Sequence, residues 1–172
     1  MSGRRFPRPV LAIAALGSLL AACQTVPMGG FGGPPSAAPF RADDFAWSAR
    51  QGQASIDGRV DFRREGQSYG CSGSVALTPD TPYTRARFRT LYGSTDSAAV
   101  PEAVVRARTV PDPTADYRSF VRSTTCRDGR FTFSGLPDGG WFIIAPVTAG
   151  GERIVLMRHV YTRGGRRVSV NL

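Results

Sequence analysis

The chain has 172 residues and a mass of 18.4 kDa, which leaves room for one domain with short appendages but excludes two separate catalytic lobes. Its net charge is +9, and 20 glycines and 13 prolines interrupt it too often for long helices. With one histidine and three cysteines, the chain alone cannot build a multi-histidine metal site, a four-cysteine zinc site or a four-thiolate iron–sulfur cluster. We therefore expect neither a metal nor another cofactor.

Residues 1–22 have the features of a signal peptide. Arg4, Arg5 and Arg8 precede an uncharged run from Val10 to Ala22. As a helix this run would span about 20 Å, whereas a bilayer core measures about 30 Å. The run therefore predicts an export signal and not a membrane-spanning helix. A twin-arginine signal fits less well, because Phe6 follows the arginine pair too closely.

The signal ends in Leu20-Ala21-Ala22-Cys23, which resembles the lipobox of bacterial lipoproteins. This resemblance implies cleavage before Cys23, diacylglycerol on its thiol and an acyl chain such as palmitate on the new amino group. Several acyl chains make a durable anchor, since each buried methylene contributes about 0.8 kcal/mol. Gln24 implies sorting to the outer membrane of a Gram-negative envelope, on its periplasmic side. The alternative is an ordinary signal peptide that contains a cysteine.

Residues 23–44 are expected to be a flexible tether, because their Gly/Pro/Ala composition cannot bury a core. The folded domain is then predicted over residues 45–172. Its apolar residues alternate with polar ones at period two, without helical spacing, as in half-buried strands. The run Trp141–Val147 is apolar at both parities, which indicates a central strand covered on both sides. We predict an all-β, two-layer antiparallel sandwich of about seven or eight strands.

Asp128-Gly129 predicts a tight type I′ hairpin turn. A continuous hairpin would pair Arg127 with Arg130, Cys126 with Phe131, and Thr124 with Phe133. Cys126 then faces the core. In the stretch that begins at Cys71, the same alternation places Cys71 on the core face with Val75 and Leu77. Because an exported protein meets an oxidising compartment, we predict a Cys71–Cys126 disulfide in a periplasmic domain.

His159 is the only histidine, and two interpretations of it remain. On a strand it shares a face with Val155, Met157 and Tyr161, which favours a packed, hydrogen-bonded side chain. The alternative is a small periplasmic hydrolase in which His159 acts with a nearby carboxylate such as Asp61 or Glu152.

The domain resembles bacterial carboxypeptidase regulatory-like domains, which have a prealbumin-like β-sandwich also described as carbohydrate-binding-like. The residues that carry the match form a turn-and-core pattern: Asp128, Gly129, Phe131, Phe133, Leu136, Pro137 and Gly139. Such positions imply a fold and not an activity. The segment Tyr83–Ala103 departs from the plain domain.

All 22 basic residues other than His159 are arginines. If the segment from Thr84 to Arg89 is extended, Arg85, Arg87 and Arg89 lie on one face, and Arg106 and Arg108 repeat the spacing. Such an arginine ladder could bind anionic lipid headgroups or envelope glycan. The alternative is a solvated face that protects an edge strand. Nucleic acid is not expected as a partner of an exported protein.

These observations favour a non-enzymatic, membrane-anchored envelope lipoprotein. Its sandwich is expected to act as an interaction or structural module for an anionic envelope component, a glycan or another envelope protein. The sequence offers no motif that assembles convergent titratable groups, so the hydrolase stays the alternative.

Overall fold

The computed structural model describes residues 38–71, 73–110 and 115–172. The predicted signal peptide, Cys23 and residues 23–37 of the expected tether lie outside the described residues. Within the described ranges, no helix is both long enough and apolar enough to cross a membrane.

The described residues contain ten strands, three α-helices and two 3₁₀ segments. The strands are β1 (Ala54–Arg59), β2 (Phe62–Arg64), β3 (Gln67–Cys71), β4 (Gly73–Pro79), β5 (Ser97–Pro101), β6 (Arg122–Cys126), β7 (Arg130–Leu136), β8 (Gly139–Ala149), β9 (Glu152–Thr162) and β10 (Arg167–Asn171). The helices are α1 (Ala42–Phe45), α2 (Pro82–Tyr92) and α3 (Glu102–Ala107), with 3₁₀ segments at Ala46–Ala49 and Ala115–Phe120.

The strands form two sheets. The smaller has the order β10-β1-β7, in which β1 runs parallel to β10 and antiparallel to β7. In the larger sheet, of seven strands, β8 pairs with β9 along one edge and with β3 and then β4 along the other. β2, β6 and β5 extend this sheet beyond β3, β4 and β9. The predicted β-sandwich is thus confirmed, but the described residues form ten strands and not seven or eight, and β1 and β10 are parallel.

The main core lies between the two sheets. Ile56, Phe131 and Phe133 of the smaller sheet belong to one buried cluster with Leu77 and Ile143 of the larger sheet. Each of these side chains is at most 4% exposed. Full burial of such a side chain stabilises the fold by about 1.5 to 3 kcal/mol. Sandwich stability therefore rests mainly on this layer.

Strand β8 is covered on both sides, as its sequence predicts. Trp141 and Ile143 face the main core, while Phe142 faces a second cluster with Phe88 and Met157 on the outer side of the larger sheet. Trp141, Phe142 and Ile143 are all fully buried. The cover on the outer side is α2, which contributes Phe88.

Helix α2 contradicts the expected absence of helices. Thr81 caps its first turn, since the Thr81 hydroxyl accepts from the Thr84 amide and the Thr84 hydroxyl accepts from the Thr81 amide. Pro82 occupies the first turn, and Gly93 ends the helix at a φ of 75°. The segment from Tyr83 to Ala103 thus forms a helix, the edge strand β5 and the start of α3.

The predicted turn at Asp128-Gly129 and the predicted pair Arg127–Arg130 are confirmed, but the predicted pairs of Cys126 with Phe131 and of Thr124 with Phe133 are wrong. Both turn residues have positive φ, 49° and 71°, and Arg127 and Arg130 exchange both backbone hydrogen bonds. Beyond this rung the strands part, because β6 pairs with β4 in the larger sheet and β7 pairs with β1 in the smaller. The turn therefore carries the chain from one layer of the sandwich to the other.

The predicted disulfide between Cys71 and Cys126 is confirmed, with Cα atoms 6.0 Å apart. Both residues belong to the main core. Cys126 pairs in register with Gly73, which begins β4 shortly after β3 ends at Cys71. The bond closes a chain segment with a sequence separation of 55 residues.

The packed part of the chain begins before the expected boundary at residue 45. The ring of Phe40 lies 5.3 Å from that of Phe45 and 5.7 Å from that of Tyr83. These aromatic residues form a cluster with Tyr117 beside the start of α2. Aromatic contacts therefore hold α1, while the following 3₁₀ segment is held by the larger sheet, where Trp47 packs 4.9 Å from the ring of Trp141.

Candidate functional site

The structure does not form the predicted arginine ladder. In helix α2, Arg85 and Arg89 lie four residues apart and share a face, while Arg87 points elsewhere. Arg87 stacks against Tyr117, with its guanidinium carbon 5.1 Å from the ring centroid. The period-two spacing of these arginines therefore does not mark a strand, because the cap at Thr81 starts a helix before them.

Three of the other ladder arginines contact the protein itself. Arg106 pairs with Glu102 one helical turn before it, and the Arg108 guanidinium donates to the carbonyl oxygen of Leu91 at 2.6 Å. Arg85 pairs with Asp80. The structure therefore does not bring the five arginines together as one anion-binding surface.

His159 lies in a buried ionic cluster on the outer face of the larger sheet. Its Nε2–H donates to Oδ2 of Asp80 at 2.8 Å, and Arg85 binds the same carboxylate oxygen. The side chains of His159 and Asp80 are 8% and 9% exposed. The His159 ring also packs 4.7 Å from the rings of Phe142 and Tyr161. The predicted packed, hydrogen-bonded histidine is thus present.

Gly140 makes room for this cluster. A Cβ added at Gly140 would lie 2.8 Å from Asp80 Oδ2 and 3.2 Å from His159 Nε2. The carbonyl oxygen of Gly140 also accepts a hydrogen bond from the Asp80 amide at 2.9 Å. A residue without a side chain is therefore required where β8 passes the ion pair.

Neither carboxylate predicted for His159 is its partner. The Glu152 carboxylate accepts from the Tyr69 hydroxyl and from Arg64. Asp61 lies near the end of the smaller sheet, where its amide donates to Leu172. The partner is instead Asp80, because the chain turns from β4 into α2 beside β9.

The cluster of Asp80, His159 and Arg85 connects helix α2 to strand β9. Burial alone would raise the pKa of the Asp80 carboxyl, but the hydrogen bonds from His159 and Arg85 and the charges of these groups outweigh it, so the pKa lies below its ordinary value. In return, the Asp80 carboxylate raises the pKa of Arg85. The carboxylate thus stays ionised and joins α2 to β9.

A groove of about 400 Å³ opens beside this cover, between α2, the 3₁₀ segment Ala115–Phe120 and the outer face of the larger sheet. Its apolar and aromatic lining includes Phe88, Leu91, Tyr92, Tyr117 and Ile144. Its polar lining residues are Thr78, Ser123 and Arg118, of which Thr78 is only 2% exposed. An apolar cleft with a few convergent polar groups is the usual form of a small-molecule site.

Burial raises the pKa of Tyr92 in this groove to about 12. The charge of Tyr117 adds to the rise, and that of Arg87 opposes it. The Tyr92 phenol therefore stays neutral at physiological pH and can both donate and accept a hydrogen bond. The sequence did not predict this site, although Phe88, Leu91 and Tyr92 are spaced as on one face of a helix.

The outer face of the smaller sheet is open and polar. A shallow concavity of about 580 Å³ is lined by residues of all three of its strands. Asp57 at its centre accepts from the Thr132 hydroxyl at 2.9 Å and pairs with Arg167 at 3.1 Å. Within residues 38–71, 73–110 and 115–172, no group of three or more His, Cys, Asp or Glu side chains is arranged to hold a metal ion.

Comparison with known proteins supports the architecture. No family model matches this sequence, and no curated relative does. The structure resembles a crystal structure of a candidate carbohydrate binding protein from Pseudomonas aeruginosa, with a TM-score of 0.55 and 22% sequence identity. The match covers 79% of this chain and 99% of the other. At this level of identity, the likeness establishes a shared fold.

Proposed function

We propose that this protein is a non-enzymatic envelope lipoprotein whose sandwich binds glycan in the groove beside α2. The observation that carries the proposal is the combination of aromatic rings and hydroxyl groups in one cleft. A pyranose ring has apolar C–H faces and hydroxyl edges, so it needs both kinds of contact. Tyr92 and Tyr117 offer aromatic surface with a polar tip, and the exposed Ser123 offers a further hydroxyl.

The shared fold also supports the proposal of a glycan-binding protein. A protein described as a carbohydrate binding candidate shares this architecture over almost its whole length. The turn-and-core pattern from Asp128 to Gly139 adds the resemblance to carboxypeptidase regulatory-like domains, a membership that we include in the proposal. Function must still be argued from the site, because one fold hosts many functions.

The hydrolase alternative finds less support in the geometry. The His159 nitrogen that faces Asp80 is engaged by a carboxylate that Arg85 also neutralises. The histidine side chain is 8% exposed, which leaves little surface for a substrate. A base oriented for catalysis would need a reachable nucleophile or water.

A blocked-groove variant tests the glycan site. Ser123 is exposed on β6 and lines the groove, so Ser123→Phe should fill it without disturbing the core. Thr125→Phe is the matched control, because Thr125 is exposed on the same face of the same strand, two residues away. The probes are maltopentaose, cellopentaose and chitopentaose, measured by calorimetry with the full chain in detergent.

We expect at least one of these neutral oligosaccharides to bind. Ser123→Phe should weaken that binding at least tenfold, and Thr125→Phe should leave it within twofold of the wild type. Lack of binding to all three, or equal weakening in both variants, would contradict the groove as a glycan site.

The anchor is proposed from Leu20-Ala21-Ala22-Cys23 alone. In cells of a Gram-negative host, mass spectrometry should find an acylated Cys23 at the N-terminus and the protein in the outer membrane fraction. Cys23→Ser should accumulate as an unprocessed precursor. Cleavage at another residue, or a Cys23 without acyl mass, would refute the anchor.

A further inference from the structure

The open face of the smaller sheet places two arginines side by side. Arg59 of β1 and Arg130 of β7 are direct cross-strand partners, so their Cβ atoms lie about 4.5 to 5.5 Å apart. Asn171 of β10 is the partner of Arg59 on the other side. All three are exposed and line the same concavity of about 580 Å³. They form one polar rung across the three strands.

The two arginine side chains find no polar partner among the described residues. Across the described ranges, neither Arg59 nor Arg130 has a side-chain hydrogen bond or an ion pair. The Asp57 carboxylate, on the pair of residues next to Arg59 and Arg130, is engaged by Thr132 and Arg167. Like charges that face each other directly across strands destabilise a sheet. A local arrangement that opposes stability is typical of a functional position.

We propose that Arg59, Arg130 and Asn171 bind the oxyanion group, a carboxylate or a phosphate, of an acidic saccharide. Two adjacent guanidinium groups can each present paired N–H donors to the oxyanion. The Asn171 amide supplies a further donor. Thr132 and Ser169 line the same concavity, and their hydroxyls suit the sugar hydroxyls that flank the anion. This site lies on another sheet from the groove and is independent of it.

Calorimetry with the full chain in detergent at 0.15 M salt tests the site. The probes are pentagalacturonate for a carboxylate and a singly phosphorylated mannopentaose for a phosphate, each compared with its uncharged counterpart. We expect at least one acidic probe to bind at least tenfold more tightly than its counterpart. The arm that binds identifies the anion. Equal affinity for charged and uncharged probes, or no binding of either acidic probe, would overturn the proposal.

Variants of matched charge separate the site from general attraction. Arg59→Gln/Arg130→Gln should weaken binding at least tenfold, and Asn171→Ala about threefold. Arg89→Gln/Arg163→Gln removes the same charge from exposed positions elsewhere, and should change affinity less than twofold because charges beyond about 8 Å are screened. An equal loss in both double variants would overturn the proposal, and so would a loss in Ser123→Phe.

Thermal unfolding gives an independent readout. Since the facing arginines repel each other, Arg59→Gln/Arg130→Gln should melt at the wild-type temperature or above it. A lower melting temperature would show that the pair supports the fold, and would overturn its assignment as a binding site.

Discussion

The outer face of the larger sheet is covered by α2, whereas the outer face of the smaller sheet is open to solvent. Under the helix, Phe142 and Met157 are almost fully buried, and the hydrogen-bonded side chains of Asp80 and His159 are 9% and 8% exposed. On the open face, Asp57 and Thr132 make their hydrogen bond in contact with solvent. A strand residue under α2 therefore contributes packing energy or lines the groove. A strand residue on the open face instead makes polar contacts beside solvent.

Truncation on each face should show this difference most clearly. Phe142→Ala is expected to lower the free energy of unfolding by about 3 to 5 kcal/mol, because it removes a buried ring and leaves a cavity. Thr132→Ala on the open face should cost less than about 1 kcal/mol, since its hydrogen bond is exposed. Urea unfolding measures both. Similar losses in the two variants would mean that α2 does not seal the face.

The disulfide should stabilise the covered side of the molecule. The segment it closes contains α2, β5 and α3. Cys71→Ala/Cys126→Ala is expected to cost about 4 kcal/mol, on a loop-entropy argument for a segment of this length. Hydrogen exchange should show the largest loss of protection in α2 and β5, and the smallest in β1 and β10. A uniform loss across both sheets would contradict this view.

A smaller loss of stability is expected when the cluster of Asp80, His159 and Arg85 on the covered face is disrupted. Asp80→Asn keeps the shape of the side chain but removes the charge that His159 and Arg85 bind. We expect a loss of about 2 kcal/mol, because buried hydrogen bonds to charged groups contribute about 1.5 to 3 kcal/mol each. Chemical denaturation at pH 7 gives the value. An unchanged free energy of unfolding would show that the cluster contributes nothing net.

The same carboxylate predicts a pH dependence. Because the pKa of Asp80 is lower in the folded state than its ordinary value, its contribution is fully present above the unfolded pKa of about 4 and is lost as the pH falls through the folded pKa. Between pH 5 and pH 2, the free energy of unfolding of the wild type should therefore fall more than that of Asp80→Asn. This interval spans the ordinary carboxyl pKa of about 4. Parallel curves would argue against the assignment.

The smallest expected effect concerns Gly140. A methyl group there would meet the Asp80 and His159 side chains, so Gly140→Ala should cost about 1 to 2 kcal/mol by overpacking. Gly70→Ala is the matched control on β3, because a Cβ at Gly70 meets nothing within 4 Å. That control should be neutral or slightly stabilising, since alanine has less conformational freedom to lose.

The sequence predicted the features that depend on neighbouring residues. The turn at Asp128-Gly129 follows from the need for positive φ, and the burial of Trp141 to Val147 follows from a run that is apolar at both parities. The disulfide was predicted from the alternation around Cys71, from the hairpin register expected at Cys126 and from the expected compartment. Cys126 lies in the core although that register does not form, because β6 pairs with β4 instead.

The features that the sequence did not predict depend on contacts between distant segments. Asp80 reaches His159 across 79 positions, and no spacing rule connects them. Arg59 and Arg130 became neighbours only when β7 paired with β1, a choice that the Asp128-Gly129 turn does not determine. Helix α2 was missed for a different reason, because the alternating arginines suggested an extended segment and the helix cap at Thr81-Pro82 was not recognised.

The position of the disulfide also determines how the protein responds to a protease. Any single cut between Cys71 and Cys126 leaves both fragments covalently joined. Such a nicked molecule would keep its apparent size on a non-reducing gel and separate into two fragments only after a thiol is added. The segment between the two cysteines can therefore be cut without being released from the rest of the domain.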